Sequence, residues 1–258
     1  VVAAAALNKG LYKSVDDPTH SPDPYTPPGS TSSLAGDFTH CQNASIRSAL
    51  RYSCENVFAS MAVDMGQVDL ATMAEAFGFN DDKLLTPIRP VASIHPRGEL
   101  SAAGLADSGN GLQGVTATPL QMARVMAVID NGGKQTQPEL VAQIIRPDGS
   151  VEKPKSDAAA DKQVLEPSIA AQLRSALQGS ASPLIGGESG WAPRSELANR
   201  GDATAWSVSF TRSGDGRPMA IAVFVTVPTT STDHSSDEAG AVHVAQEMSR
   251  AATNPTHS

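Results

Sequence analysis

The stretch from Gly109 to Ile145, GNGLQGVTATPLQMARVMAVIDNGGKQTQPELVAQII, constrains the fold of this chain more than any other. Thr118 is placed to N-cap a helix, Pro119 takes its first position, and Gln121 occupies the capping-box position. Leu120, Met122, Ala123, Val125, Met126, Val128 and Ile129 leave only Gln121, Arg124 and Asp130 as polar members. A helix apolar almost all round belongs in the interior, with other elements packed about it. Asn131, Gly132 and Gly133 supply a left-handed stop. Pro138–Ile145 then reads as a strand that the PDG sequence at Pro147 turns. On pattern alone a generic core helix fits as well, so this stretch fixes a position in the fold before it says anything of function.

The rest of the chain falls into place around it. Val1–Gly10 is an Ala-rich helix stopped by Gly10, and it reads as already under way at Val1, so the chain is expected to be a fragment that begins upstream. Leu11–Gly36 is dense in proline and turn residues and reads as an exposed irregular segment with polyproline character. Helices are expected over Asn43–Ser53, over Asn56–Asp64 with Gly66 as its stop, and over Leu70–Phe77. Asp82–Asp107, with prolines at 87, 90 and 96, reads as loop, and Lys153–Lys162 as polar and mobile. Ser168–Leu177 is again helical. The period then changes to two. Glu188–Ala192 is a short strand candidate, and Ala203–Thr211 and Met219–Val227 are clearer ones joined by the SGDGRP turn. These two are expected to pair antiparallel in a sheet flanked by Val1–Leu7 and by a closing amphipathic helix at Ala239–Ala251. Helices, an antiparallel meander, then a helix give an α+β or three-layer α/β class.

Composition removes several function classes. The 258 residues can bury a sizeable core, and a hydrophobic content of 40% excludes wholesale disorder. A net charge of −8 without an extended basic cluster argues against a nucleic-acid surface. No apolar run reaches membrane-spanning length, and no signal peptide is visible. His20, His40, His95, His234, His243 and His257 have no ligand-like spacing, so neither a metal nor a cofactor is expected. Ser150–Lys153 matches Ser-x-x-Lys but follows a turn in a polar loop, whereas a nucleophile needs a helix that puts lysine one turn from serine. Lys155–Ser156–Asp157 in the same loop fails similarly. Cys41 and Cys54 are the only cysteines; spacing alone leaves open two buried thiols or a bridge.

The organising stretch resembles a segment of class B penicillin-binding proteins that reads GQG, ATPLQMA, IANGG, P-L. ALRYSCENVFASMA at Ala49 resembles the helix and loop of that family's second motif, Ser-Cys-Asn before an apolar run. Val1–Leu7 resembles the Ala-rich body of the helix that opens with the nucleophile motif Ser-x-x-Lys, and ATAWSVSFT and MAIAVFVTV resemble the fourth and fifth strands of the transpeptidase sheet. The matches run in family order from residue 1 to about 230. The resemblance implies an antiparallel sheet flanked by helices beside an all-helical subdomain, with residues 1–258 forming one transpeptidase-like unit. It implies acyl transfer from D-Ala-D-Ala stem peptides of peptidoglycan to a serine, the same serine being acylated by β-lactams. It also implies an extracytoplasmic place at the cell envelope, a membrane anchor upstream, and cell-wall assembly proteins as partners. That compartment is oxidising, which favours a Cys41–Cys54 bridge.

Carried over by position, the site departs from the family pattern. The nucleophile motif falls just before Val1, so neither serine nor lysine is in this chain. Ser53 and Cys54 match the second motif, Glu55 stands in the place of its asparagine, and Asn56 comes one residue late. For the third motif, Lys-Thr/Ser-Gly, the better register is Glu188, Ser189 and Gly190, which keeps hydroxyl and glycine but reverses the charge. Arg194–Ser195–Glu196 is a second register that keeps a cation and loses the glycine. The expectation is a transpeptidase-like domain with weak or absent catalysis. The alternatives are a working transpeptidase with its serine upstream, or a non-enzymatic cell-wall scaffold.

Overall fold

The computed structural model describes residues 1–36, 38–82, 90–138, 141, 143–152, 162–178, 186–193, 202–228 and 234–253. In chain order its elements are α1 (Val2–Lys9), α2 (Phe38–Cys41), α3 (Ile46–Arg51), α4 (Glu55–Met65), α5 (Gln67–Ala76), α6 (Ala102–Gly109), α7 (Pro119–Asp130), β1 (Lys134–Gln135), β2 (Ile144–Ile145), β3 (Val151–Glu152), β4 (Lys162–Gln163), α8 (Pro167–Gln178), β5 (Gly186–Pro193), β6 (Asp202–Arg212), β7 (Pro218–Pro228) and α9 (His234–Thr253). The class is α+β.

β5, β6 and β7 form an antiparallel sheet in that order. Val208 faces Ala222 and Phe210 faces Ala220 across β6 and β7, while Ala205 faces Val225 and Ser209 faces Ile221. Because a strand alternates sides, these pairs belong to opposite faces. The face of Val208 and Phe210 joins the large core made with α1, α4, α5, α7 and α8. The other face carries Ala205, Ile221 and Val223 and packs on Ala241 and Ala245 of α9. Each large side chain buried this way stabilises by about 1.5–3 kcal/mol before entropy is counted. α7, α8 and α9 pack on the sheet, whereas α1 finds its main neighbours in α4, α5 and α8. The expected flank by Val1–Leu7 is corrected accordingly: the Ala-rich helix is thin and apolar on most sides, and helices rather than strands enclose it.

α7 begins as its sequence predicts, with the Thr118 hydroxyl accepting from the Gln121 N–H at 3.2 Å and Pro119 at the first position. Gly132 and Gly133 have φ of 62° and 85°, the left-handed stop. The polar members of α7 are not solvent-facing. Gln121 donates to the Phe77 carbonyl at 2.8 Å, and Arg124 donates to Gln121 at 3.1 Å. Asp130, whose side chain is 3% exposed, receives Arg174 of α8 at 2.8 Å and Arg212 of β6 at 2.5 Å. One carboxylate thus ties α7 to a helix and to the sheet.

Three further expectations change. Leu11–Gly36 lacks helix and strand, yet Val15, at 1% exposure, belongs to the core, and Thr19, Ser21 and Asp23 are buried as well. Isolated bridges such as Pro18 to Ser45 hold it down. Within 82–107 a helix, α6, does form, capped by Ser101, whose hydroxyl accepts from the Gly104 N–H at 3.1 Å. It is only eight residues long and includes two glycines, which disfavour a helix. The strand expected at Pro138–Ile145 is confined to Ile144–Ile145 pairing with Val151–Glu152 around the PDG turn, residues 139, 140 and 142 lying outside the described set. Residues 153–161, with the Lys155–Ser156–Asp157 sequence and Lys153, also lie outside it. Among the described residues no helix is long and apolar enough to cross a membrane.

Candidate functional site

The connection between α3 and α4 carries the candidate second-motif residues. α3 is capped by Ser45, whose hydroxyl accepts from the Ser48 N–H at 3.2 Å, and it runs only to Arg51. Ser53 then adopts φ 51°, a left-handed turn that a non-glycine residue takes at a cost, and its side chain is exposed. Cys54 follows as the residue before α4, its N–H bonded to the Ala49 carbonyl at 2.9 Å. It is joined by a disulfide to Cys41 at the end of α2, both fully buried. The turn is therefore clamped from inside immediately beside Ser53.

Glu55 and Asn56 open α4 and point in different directions. Glu55 is exposed as a residue, although its carboxyl lies close enough to the protein body for desolvation to raise its pKa. Its main-chain carbonyl accepts from the Asn110 side-chain amide, which follows α6, at 3.2 Å. Asn56 is fully buried, and its amide donates to Pro22 at 2.9 Å and to Cys41 at 3.2 Å. The only asparagine next to the motif is thus turned into the protein.

The third-motif candidates lie on β5. Glu188 pairs with Val208, Ser189 with Ser207, and Gly190 with Trp206. Ser189 is half-buried and already has an interaction partner. At Gly187, one residue earlier, a Cβ would stand 2.5 Å from the Val208 carbonyl. Residues 194–201, including the Arg194–Ser195–Glu196 register, lie outside the described residues. α8 links the two halves, since it touches β5, α1 and α3, and Arg47 of α3 donates to the Ser175 carbonyl of α8 at 2.8 Å. Ser53, Cys54 and Glu55 lie in one turn, to which the disulfide ties Cys41 of α2; Glu188, Ser189 and Gly190 form a second group on β5, whose strand α8 also contacts.

Reading the sequence missed Asn110 as a brace of that turn, and missed Ser21 and Asp23 as interior residues. No local pattern marks Asn110. Asp23 had one hint, the prolines at 22 and 24 that fix its backbone on both sides. Among the described residues no three His, Cys, Asp or Glu side chains are grouped to hold a metal ion.

Comparison with known proteins places this arrangement. Residues 1–249 match the family model of the penicillin binding protein transpeptidase domain. Peptidoglycan D,D-transpeptidase PbpA of Mycolicibacterium smegmatis is 28% identical over 194 residues, covering 70% of this chain and 38% of the relative. The crystal structure of PBPA from Mycobacterium tuberculosis superposes with a TM-score of 0.75 at 26% identity, over 95% of this chain and 59% of that one. A penicillin G acyl-enzyme complex of penicillin-binding protein A from the same organism gives a TM-score of 0.77 at 25% identity, with the same coverage of 95% and 59%. The chain spans well under two thirds of the length of each of these relatives.

Proposed function

Because the chain belongs to the penicillin-binding protein transpeptidase domain family, we propose that residues 1–258 form a transpeptidase-like unit of peptidoglycan synthesis whose acyl-transfer site is impaired. Its substrates are stem peptides ending in a carboxylate, with β-lactams as mimics, and its serine nucleophile is supplied by residues preceding Val1. The unit works on the extracytoplasmic side of the envelope, where the Cys41–Cys54 disulfide is at home.

The direction of Asn56 carries the reading. The family's second motif offers a side-chain amide to the acyl group, but here Glu55 occupies that place and is exposed, while the Asn56 amide is spent on Pro22 and Cys41. Losing one such contact costs about 1.5–3 kcal/mol. On β5, Ser189 and Gly190 keep the hydroxyl and the glycine of the third motif, and Glu188 replaces its ammonium. A like charge held ~4 Å from a substrate carboxylate costs about 4 kcal/mol at an effective dielectric of about 20. Together these slow acylation by a few orders of magnitude. The retained Ser189–Gly190 pair favours a second reading, an active transpeptidase. Glu55→Asn tests between them in protein that includes the upstream Ser-x-x-Lys. Restoring the amide should raise the rate of acylation by penicillin under the first reading and leave it unchanged under the second.

A further inference from the structure

The strap 93–97 lies against α5 and the turn that follows it, and its backbone is pinned at every step. The Asn80 N–H donates to the Ser93 carbonyl at 2.6 Å. The Asn80 side chain brackets His95, accepting from its N–H at 3.1 Å and donating to its carbonyl at 3.0 Å. Gln67, at the start of α5, donates to the Pro96 carbonyl at 3.0 Å, and Arg97 pairs with Glu75 at 2.6 Å. Ile94 and Thr116 form an isolated bridge, each N–H donating to the other's carbonyl at 2.9 Å. Thr116 belongs to the loop after α6, whose Asn110 holds the Glu55 carbonyl.

At the centre of this strap is a titratable ring with nowhere to put a second proton. His95 is 4% exposed, and its Nδ1 lies 3.2 Å from the Pro96 carbonyl. A carbonyl only accepts, so the neutral ring keeps its proton on Nδ1 and leaves Nε2 bare. Nε2 is buried and has no hydrogen-bond partner among the described residues. Protonation there would set a cation and an unmet donor in a space closed to water. Burial accordingly holds the imidazole below the usual histidine range, against the pull of the Pro96 carbonyl. The Val1 amino group adds to that depression, and Glu75 of α5 opposes it. Glu75 is exposed and already engaged by Arg97. Asp81 and Arg124 line a cleft beside Ser93, and residues 110–119 across the bridge hold no titratable side chain.

We propose that His95 is an acid-released latch: its protonation frees the strap 93–97 from α5 and, through the Ile94–Thr116 bridge, slackens the loop whose Asn110 braces the turn of Ser53 and Glu55. The folded protein keeps His95 neutral, whereas the unfolded chain takes up its proton near the ordinary histidine pKa of about 6.5. This contribution to stability is therefore complete above about pH 6.5 and is lost as pH falls toward the folded value. One proton changes the opening equilibrium by at most about tenfold per pH unit in that window. The latch requires no acyl-transfer activity and stands apart from the impairment assigned to Glu55 and Glu188.

The test uses protein that includes the residues preceding Val1, because the Val1 amino group, its pKa lowered to about 6 by burial, would otherwise titrate in the same window. Amide hydrogen exchange is measured at about pH 7.5 and about pH 5.5 and corrected for the intrinsic pH dependence of exchange. Protection at residues 94–97, at Thr116 and at residues 57–59 should fall about threefold to tenfold at the lower pH, while α9 keeps its protection. His95→Asn, which retains a donor in the place of Nδ1, should remove that difference. The His95 ring resonance, identified by its loss in the variant, should titrate with a midpoint below about 6.5. Should the variant fail to fold, the ring titration and the wild-type exchange still decide. A midpoint at or above that of a free imidazole overturns the proposal, as does wild-type protection that is equal at both pH values. Loosening that survives His95→Asn, or that stays within the strap and spares Thr116 and residues 57–59, overturns it too.

Discussion

The side-chain amide of Asn110 donates to the main-chain carbonyl of Glu55 at 3.2 Å, so the loop after α6 braces the first turn of α4. The disulfide holds the same turn from the opposite, buried side. Ser53 and Glu55 are presented by a connection fixed at two points, although both are exposed themselves.

Removing the outer brace should be mild. Asn110→Ala is expected to cost about 0.5–1.5 kcal/mol, the usual worth of one hydrogen bond. It should also speed amide hydrogen exchange in the first turn of α4 without affecting α9. Unchanged exchange at residues 57–59 would show that the contact does not hold the turn.

Removing the inner clamp should cost more. The disulfide spans a separation of 13 residues, and in the chain-entropy model such a loop contributes about 2–4 kcal/mol. The Cys41→Ser, Cys54→Ser double variant should therefore melt several degrees below the oxidised protein. A melting temperature equal to that of the oxidised protein would contradict this account of the turn.

Asp130 provides a stability test with a defined pH sign. Desolvation alone would raise the pKa of its carboxyl, but hydrogen bonds from Arg212 and Arg174 outweigh it, and the pKa lies below the usual carboxylate value. A folded-state pKa below the unfolded one means that the ionised group stabilises the fold above the unfolded pKa of about 3.9. That stabilisation disappears as pH falls through the folded value. Asp130→Asn should cost about 1–3 kcal/mol at neutral pH, toward the lower end because each arginine is about one-third exposed. The gap between wild type and variant, read from urea midpoints, should narrow as pH falls below about 4. A gap independent of pH would mean that the arginine pair does not act through charge.

The parts of the fold legible in the sequence are those where one physical signal acted alone. Thr118, Pro119 and the glycines at 132 and 133 delimit α7 because capping and left-handed turns need particular residues. β6 and β7 show their period of two because each face meets a different apolar layer. The failures come where tertiary contacts override local chemistry. Val15, Ser21 and Asp23 sit inside although their segment is rich in turn residues, because neighbouring helices close over it. α6 is helical although it is short and holds two glycines, and Arg124 is buried on a helix whose pattern only says that it lies inside. In the candidate site, motif spacing places Ser53 and Glu55 at one turn. Asn56, one residue later, faces Cys41 instead of the surface, which the motif spacing does not show. A shift of one residue at a helix start rotates a side chain by about 100°, which no composition argument resolves.

The central claim is that Glu55 and Glu188 impair acyl transfer at an otherwise family-like site. It is tested most directly by the rate at which a fluorescent penicillin labels protein that includes the residues preceding Val1. The account predicts slow labelling, and an increase of orders of magnitude in the Glu55→Asn, Glu188→Lys double variant. Labelling of the unmodified protein as fast as that of an ordinary penicillin-binding protein would contradict it.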